Sequence, residues 1–321
     1  MLYSIYNING EYNMRFFHKF YSVNYNFLGL VNGILLRAKR KNKFTKAIDY
    51  LKKYEYILDK QEIMETSDKY PNKIWQCWFQ GKDNMPAIVK KCTDSVLKYH
   101  SDKVILLNNN NISEYIDLPE YIIEKHKKGI IPFAHYSDIL RLSLLAKYGG
   151  TWVDSTILLT DKIPDEIFNA EIFSFKSLQT YLFPFIKNIN DFKIYSNHLD
   201  SVISIESSYF LGAKAGNKII NDVLNLLLEY WKHENSVIDY LMLDKFFIIT
   251  ILHDEKLKQQ FLNMPTYYIE NVLLMQNAQF EPFNQEMYNM ITTTTPIHKM
   301  THKNLHRNPY KNSFLNHILN S

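Results

Sequence analysis

Hydrophobic positions recur along this chain at two periods, and the changes between them divide it into elements. Residues 43–63 set Ile48, Leu51, Tyr54, Tyr56, Ile57 and Leu58 near a 3.6-residue period, which predicts a helix. At Pro71 the texture changes. Residues 73–79, Lys-Ile-Trp-Gln-Cys-Trp-Phe, are short, aromatic and stopped by Gly81, the pattern of a buried strand. A helix over 86–99, a strand over 104–107 and a polar turn from Asn108 to Asn111 complete a β-α-β unit. Helices are predicted at 119–128 and 134–148; the second carries Ile139, Leu140, Leu142, Leu144 and Leu145 and ends on Gly149, a favoured helix terminator. Residues 152–159 read as one strand, with further strands at 172–175 and 209–213 and helices at 217–231 and 240–252. A threonine run from Thr292 leads to a short terminal helix. Alternation of β and α at these lengths predicts an α/β sheet with helices on both faces, without internal repeats. Residues 1–68 read as a helical amino-terminal segment and 69–321 as the main domain.

Composition narrows the class. The chain of 321 residues is 46% hydrophobic and 22% charged, an ordinary globular balance that excludes disordered and fibrous proteins. Its nine glycines are about 3% of the residues, against an average of about 7%, and neither G-x-G-x-x-G nor G-x-x-x-x-G-K-[ST] occurs. The common glycine-rich phosphate cradles are therefore excluded. Two cysteines, Cys77 and Cys92, make no disulfide framework, no secretory leader is read, and the longest nearly apolar run, 27–36, is half of a membrane span. The expected location is cytoplasmic.

The net charge of +4 is unevenly spread: residues 1–60 carry +7, residues 61–296 carry −7 and the rest +4. The basic amino-terminal stretch is interleaved with Phe16, Phe17, Phe20, Tyr21, Phe27, Leu28, Leu35 and Leu36, which suits an anionic lipid surface as a peripheral attachment; solvated lysines on a docked helical pair would give the same composition. Nucleic acid, which would also suit this end, is disfavoured by the acidic middle of the chain.

The polar residues that need explaining lie close together. Asp138 and Arg141 are three apart on a largely apolar helix and share a face, either as an intrahelical ion pair or as groups that meet a ligand's hydroxyls and phosphate. After Gly149-Gly150-Thr151, Asp154 interrupts an apolar strand in Trp152-Val153-Asp154-Ser155-Thr156. A carboxylate at a buried strand's end is poor core material, and strand ends are where open α/β sheets bind ligands. It either caps a turn or, with Mg²⁺ or Mn²⁺ to compensate its charge, holds a diphosphate.

These segments resemble the bacterial capsular polysaccharide synthesis proteins, related to the wider DXD-type sugar-transferring enzymes. The resemblance rests on Lys73-Ile74 with Trp78, then Ser137-Asp138 with Arg141, then Gly149-Gly150-Thr151-Trp152-Val153-Asp154, all in order. It is specific from Lys73 to Thr160 and looser through Tyr230-Trp231, Asp239-Tyr240 and His298-Lys299. It implies a GT-A fold, Rossmann-like with a mixed sheet, and a glycosyltransferase that moves a sugar with retention from a nucleotide sugar, expected to be a UDP-sugar, onto an oligosaccharide or lipid-linked glycan at the inner membrane face. The alternative is a non-catalytic binding module of the same architecture.

By the same resemblance, Trp78 stacks on the base; Asp138, Arg141, Gly150, Asp154, Ser155 and Thr156 hold the donor; and Lys299 and Lys303 neutralise the leaving diphosphate. Asp154 and His298 are the expected ligands of the Mn²⁺ or Mg²⁺, although Thr156 stands where the wider pattern has a second aspartate. His298 has the simpler reading of an exposed histidine near the chain's end. Asp239 is either near the acceptor and catalytic, or a helix cap. The donor sugar is expected to be chosen by loops such as 178–208. If the basic stretch attaches the chain to lipid, deleting residues 1–40 should weaken sedimentation with anionic vesicles about tenfold or more, since each well-placed basic residue contributes about 1 kcal/mol; undiminished binding excludes the attachment.

Overall fold

In a computed structural model, residues 43–60, 63–177 and 207–321 are described. Most of the amino-terminal stretch expected at a membrane, and nearly all of the loop expected to choose the sugar, lie outside those residues. Five strands form a mixed sheet in the order β2-β1-β3-β6-β5, from β1 (Ile74–Cys77), β2 (Val104–Leu107), β3 (Gly150–Val153), β5 (Ile172–Ser174) and β6 (Phe210–Ala213). Strands β1, β2 and β3 run parallel, while β6 pairs antiparallel with both β3 and β5. Two further strands, β4 (Ile157–Leu159) and β7 (Ile297–Lys299), make a separate antiparallel ribbon.

The sheet is covered on both faces, and period-two alternation decides which residue goes where. Ile74, Val153, Phe173 and Phe210 enter one apolar cluster, while their neighbours Trp75, Trp152, Ile172 and Leu211 enter the other. The second cluster is the larger. It takes in α4 (Phe133–Tyr148), α6 (Lys218–His233) and α7 (Met242–His253), with α6 packed against both of the others, while α2 (Ala87–His100) lies along β4. Between these come α3 (Glu120–Lys127) and the short α5 (Asp165–Asn169). Beyond α7, a helix at Glu255–Leu262 packs on α7 and β5, and among the described residues four further α-helices between Ile269 and Asn320 lie on the β4–β7 side.

Two expected elements are built differently. The strand expected over 152–159 is broken after Val153, because the Asp154 carbonyl accepts from the Ile157 N–H at 2.9 Å and closes a turn that sends the chain into the second ribbon. Ser155 Oγ donates to the Cys77 carbonyl at 2.6 Å and pins that turn to the end of β1. Residues 43–51 form α1, which tightens into a 3-10 helix at Lys52–Lys60. This stretch does not stand apart from the main domain: Phe44, Ile48, Leu51, Tyr54, Ile57 and Leu58 are buried in the same cluster as Trp75 and Leu140.

The Gly149-Gly150 pair places α4 on β3. Gly149 has φ 67° and Gly150 φ 94°, conformations that side chains rarely adopt. A Cβ on Gly150 would stand 2.3 Å from the Lys73 carbonyl oxygen, and one on Gly149 2.6 Å from the Ala215 nitrogen. The backbone therefore passes where only hydrogen fits, and Trp75 Nε1 locks the corner by donating to the Gly149 carbonyl at 2.8 Å.

The amino-terminal stretch is fastened at Glu234. Tyr50, Lys53 and Tyr54 all donate to Glu234 Oε1. The hydrogen bonds from Lys53 and Tyr50 hold the Glu234 carboxyl down to about 2 from its ordinary 4.5. The folded chain thus binds this proton less readily than the unfolded one, so the contribution is complete above pH 4.5 and is lost as pH falls toward 2. Glu234→Gln should lower the melting temperature at neutral pH and flatten its fall between those values; an unchanged acid limb would remove Glu234 as the fastening point.

Candidate active site

Helix α4 and strand β3 converge because the glycine corner folds one onto the other. On α4, Arg141 Nη1 donates to Asp138 Oδ1 at 2.7 Å and Nη2 donates to Ser137 Oγ at 3.1 Å. Nη2 also reaches Asp154 Oδ1 at 3.5 Å, so one guanidinium links the helix to the strand end. It stacks over Trp152, 5.1 Å from the ring centroid. Both Arg141 and Asp138 are buried, and ions held away from water persist only when hydrogen bonds replace the water they lose. The ion pair and the site residue are therefore one arrangement: Asp138 and Ser137 aim the guanidinium at Asp154.

Asp154 is the meeting point. Trp152 and Asp154 are two apart along the chain, and the Trp152 Nε1 donates to Asp154 Oδ1 at 2.8 Å. Lys299, carried in by β7, donates to Asp154 Oδ2 at 2.9 Å and to Thr156 Oγ1 at 2.7 Å. Its ammonium stands 4.7 Å from the centroid of the Tyr209 ring. Burial alone pushes the Asp154 carboxyl up, but the Lys299 and Arg141 charges and the bonds from Lys299 and Trp152 outweigh it and hold the group below its ordinary 3.8. Asp154 is an anion at neutral pH. The Cys77 thiol nearby is pushed up to about 12, chiefly by burial and then by the Asp154 charge, which keeps it in the neutral form at neutral pH.

The other expected residues fall into distinct places. Gly150 acts through its backbone at the corner, and Ser155 is spent on the Cys77 carbonyl. Trp78 lies half-buried at the end of β1, its Nε1 donating to the Asn84 carbonyl at 3.2 Å and its ring edge-on to His302 at 5.6 Å. Lys303 is exposed and is not among the partners of Asp154. Asp239 accepts from Lys245 Nζ at 2.9 Å and from the Leu241 N–H at 2.8 Å, and Lys43 lies 3.5 Å away. The residue at the cap position of α7 is Leu241. Asp239 does not join the cluster, but its neighbour Tyr240 faces His135, which lies 3.4 Å from Asp138 Oδ2.

His298 is fully buried, and alternation along β7 turns it to the face opposite Lys299. Its Nε2 lies 3.0 Å from Thr160 Oγ1, and burial pushes its pKa down to about 3. His298 and Asp154 are therefore not brought together as a pair of metal ligands. Among the described residues, no three His, Cys, Asp or Glu side chains are grouped so as to hold a metal. The donors at hand, one carboxylate and one hydroxyl, already share the Lys299 ammonium, which stands where a divalent cation between them would sit, so the residues as placed do not fit one.

Residues 34–318 match the family described as capsular polysaccharide synthesis protein. The chain belongs to that family. The match contains α4, the glycine corner, Asp154 and Lys299, and also the docked residues 43–60. The chain is similar to the O-glycosyltransferase braB of Annulohypoxylon truncatum, 26% identical over 182 residues that cover 54% of this chain and 40% of the relative. It is also similar to the glycosyltransferase afumC of Aspergillus fumigatus, 26% identical over 126 residues, 36% of this chain and 32% of the relative. The chain thus spans less than half the length of either. Among solved structures, it superposes on the PaToxG glycosyltransferase with a TM-score of 0.37 and 16% identity, covering 79% of this chain and 95% of that one.

Trp152, Tyr209 and His302 belong to the site without being foreseen as part of it. Trp152 had a signal, since a strand places residues two apart on one side, and His302 lies between the expected Lys299 and Lys303; Tyr209 comes from a distant stretch and had none. The cluster also separates by stability. Arg141→Ala leaves buried Asp138 with an uncompensated charge and should cost about 3 kcal/mol in urea unfolding. Lys299→Ala, at a site with side chains 17% and 27% exposed, should cost about 1 kcal/mol or less. Equal losses would make Lys299 structural.

Proposed function

We propose that this chain transfers a glycosyl group from a nucleoside diphosphate sugar to a glycan acceptor. The observation that carries the reading is the convergence of Arg141, Asp154 and Lys299 at the carboxyl end of β3, where a parallel sheet presents its ligand site. Membership of the capsular polysaccharide synthesis family and the likeness to two fungal glycosyltransferases support it.

Breaking the bond between the anomeric carbon and the diphosphate leaves negative charge on the departing oxygen, and positioned cations lower the barrier most. Arg141 is locked by Asp138 and Ser137 before any ligand arrives, so little reorganisation is needed. Asp154 spaces the guanidinium and the ammonium. Half-buried Trp78 offers an aromatic face for the base, with uridine as the expected nucleoside. No side chain is assigned as a nucleophile; with retention of configuration, the acceptor hydroxyl loses its proton to the departing phosphate. The acceptor is expected to be a growing surface glycan, approached past Asp239 and Tyr240 beside His135.

A panel of UDP-sugars offered with and without glycan acceptors tests this by release of UDP. The wild type should turn over at least one donor, and Asp154→Ala should lose about 10²-fold or more in rate, the scale for removing a charge-stabilising group. Binding of UDP without turnover on any member of the panel would favour a non-catalytic module.

A further inference from the structure

Asp154 and Thr156 supply the oxygens around which a cation would sit, and both already face one. Lys299 Nζ lies 2.9 Å from Asp154 Oδ2 and 2.7 Å from Thr156 Oγ1. The other oxygen of Asp154 takes the Trp152 N–H at 2.8 Å and lies within 3.5 Å of the Arg141 guanidinium. Two carboxylates, Asp138 and Asp154, are thus balanced by two fixed cations, Arg141 and Lys299. A divalent ion entering between Asp154 and Thr156 would meet the ammonium head-on, with one carboxylate to compensate two added charges.

The ammonium is held there by the fold. Strand β7 pairs with β4 so that Lys299 stands opposite Ile157, on the turn side of the ribbon, while His298 faces the interior. An ammonium has three N–H donors, of which Asp154 and Thr156 engage two. The Tyr209 ring lies 4.7 Å away and keeps the cation in place without removing its charge.

We propose that Lys299 stands in for the divalent cation: its ammonium, held by Asp154 and Thr156, receives the donor's diphosphate, and the nucleotide binds without a metal. The proposal rests on the donor reading given above and deepens it. When diphosphate arrives, its oxygens take the third N–H of Lys299 and the Arg141 guanidinium faces the same charge from the helix side. Asp154 then holds a cation in position and coordinates nothing.

Two measurements on the intact chain test this. Titration calorimetry with UDP, GDP, ADP and CDP, each with EDTA and then with Mn²⁺, should give for the bound nucleotide affinities within about twofold of each other. Lys299→Met, confirmed as folded by its urea transition, should weaken that binding about tenfold or more, excess Mn²⁺ should not restore it, and Lys299→Arg should recover part of it. Paramagnetic resonance of Mn²⁺ with the unliganded chain should show no stoichiometric site. Binding tightened about tenfold or more by Mn²⁺, or an Mn²⁺ site lost in Asp154→Asn, overturns the role of Lys299 while leaving the donor reading intact. Failure of every nucleotide to bind under either condition defeats the donor reading and this inference with it.

Discussion

The whole site depends on compensating one buried-edge carboxylate. Asp154 sits where burial alone would favour its neutral form, and it stays ionised because Lys299 and Arg141 approach it from different elements. Each neighbour is then explained by that need. Asp138 and Ser137 hold the guanidinium, Thr156 shares the ammonium, and Trp152 fills the remaining direction with an N–H. Any one of these polar groups would be costly in a core; together they satisfy one another, with two carboxylates balanced by two cations.

That arrangement requires a helix and a strand at closer range than side chains allow. Only hydrogen fits at Gly150 against the Lys73 carbonyl, and only hydrogen at Gly149 against the Ala213–Ala215 backbone. The glycine corner thus sets where Arg141 stands relative to Asp154. On the other side, α6 backs α4, α7 packs on α6, and residues 43–60 pack on both α6 and α7, so the docked amino-terminal stretch belongs to the support of the site.

Much of this was legible in the residues. Alternating β and α patterns, the glycine pair, and polar Asp138, Arg141 and Asp154 within apolar runs located the cluster, because each breaks a periodic pattern that burial otherwise enforces. The break after Val153 was not legible, since Thr156 and Ile157 carry strand propensity and the turn is made by the Asp154–Ile157 bond and the tie of Ser155 to Cys77. Nor was the contrast between His298 and Lys299. Neighbouring positions on a strand point to opposite faces, but which face meets the site depends on the pairing of β7 with β4, about which local pattern says nothing. The fastening of residues 43–60 by Glu234 was hidden likewise, as it joins positions some 180 apart.

Lys299 reaches Asp154 across 145 residues of chain. Domains emerge from the ribosome amino terminus first, and contacts between distant positions close last because their loops cost the most entropy. The glycine corner, α4 and β3 can therefore assemble while β7 is still unmade, with the Asp154 charge met by Arg141 alone. The ammonium is the last component to be made, so the second of the two cations meets Asp154 only once β7 has paired with β4.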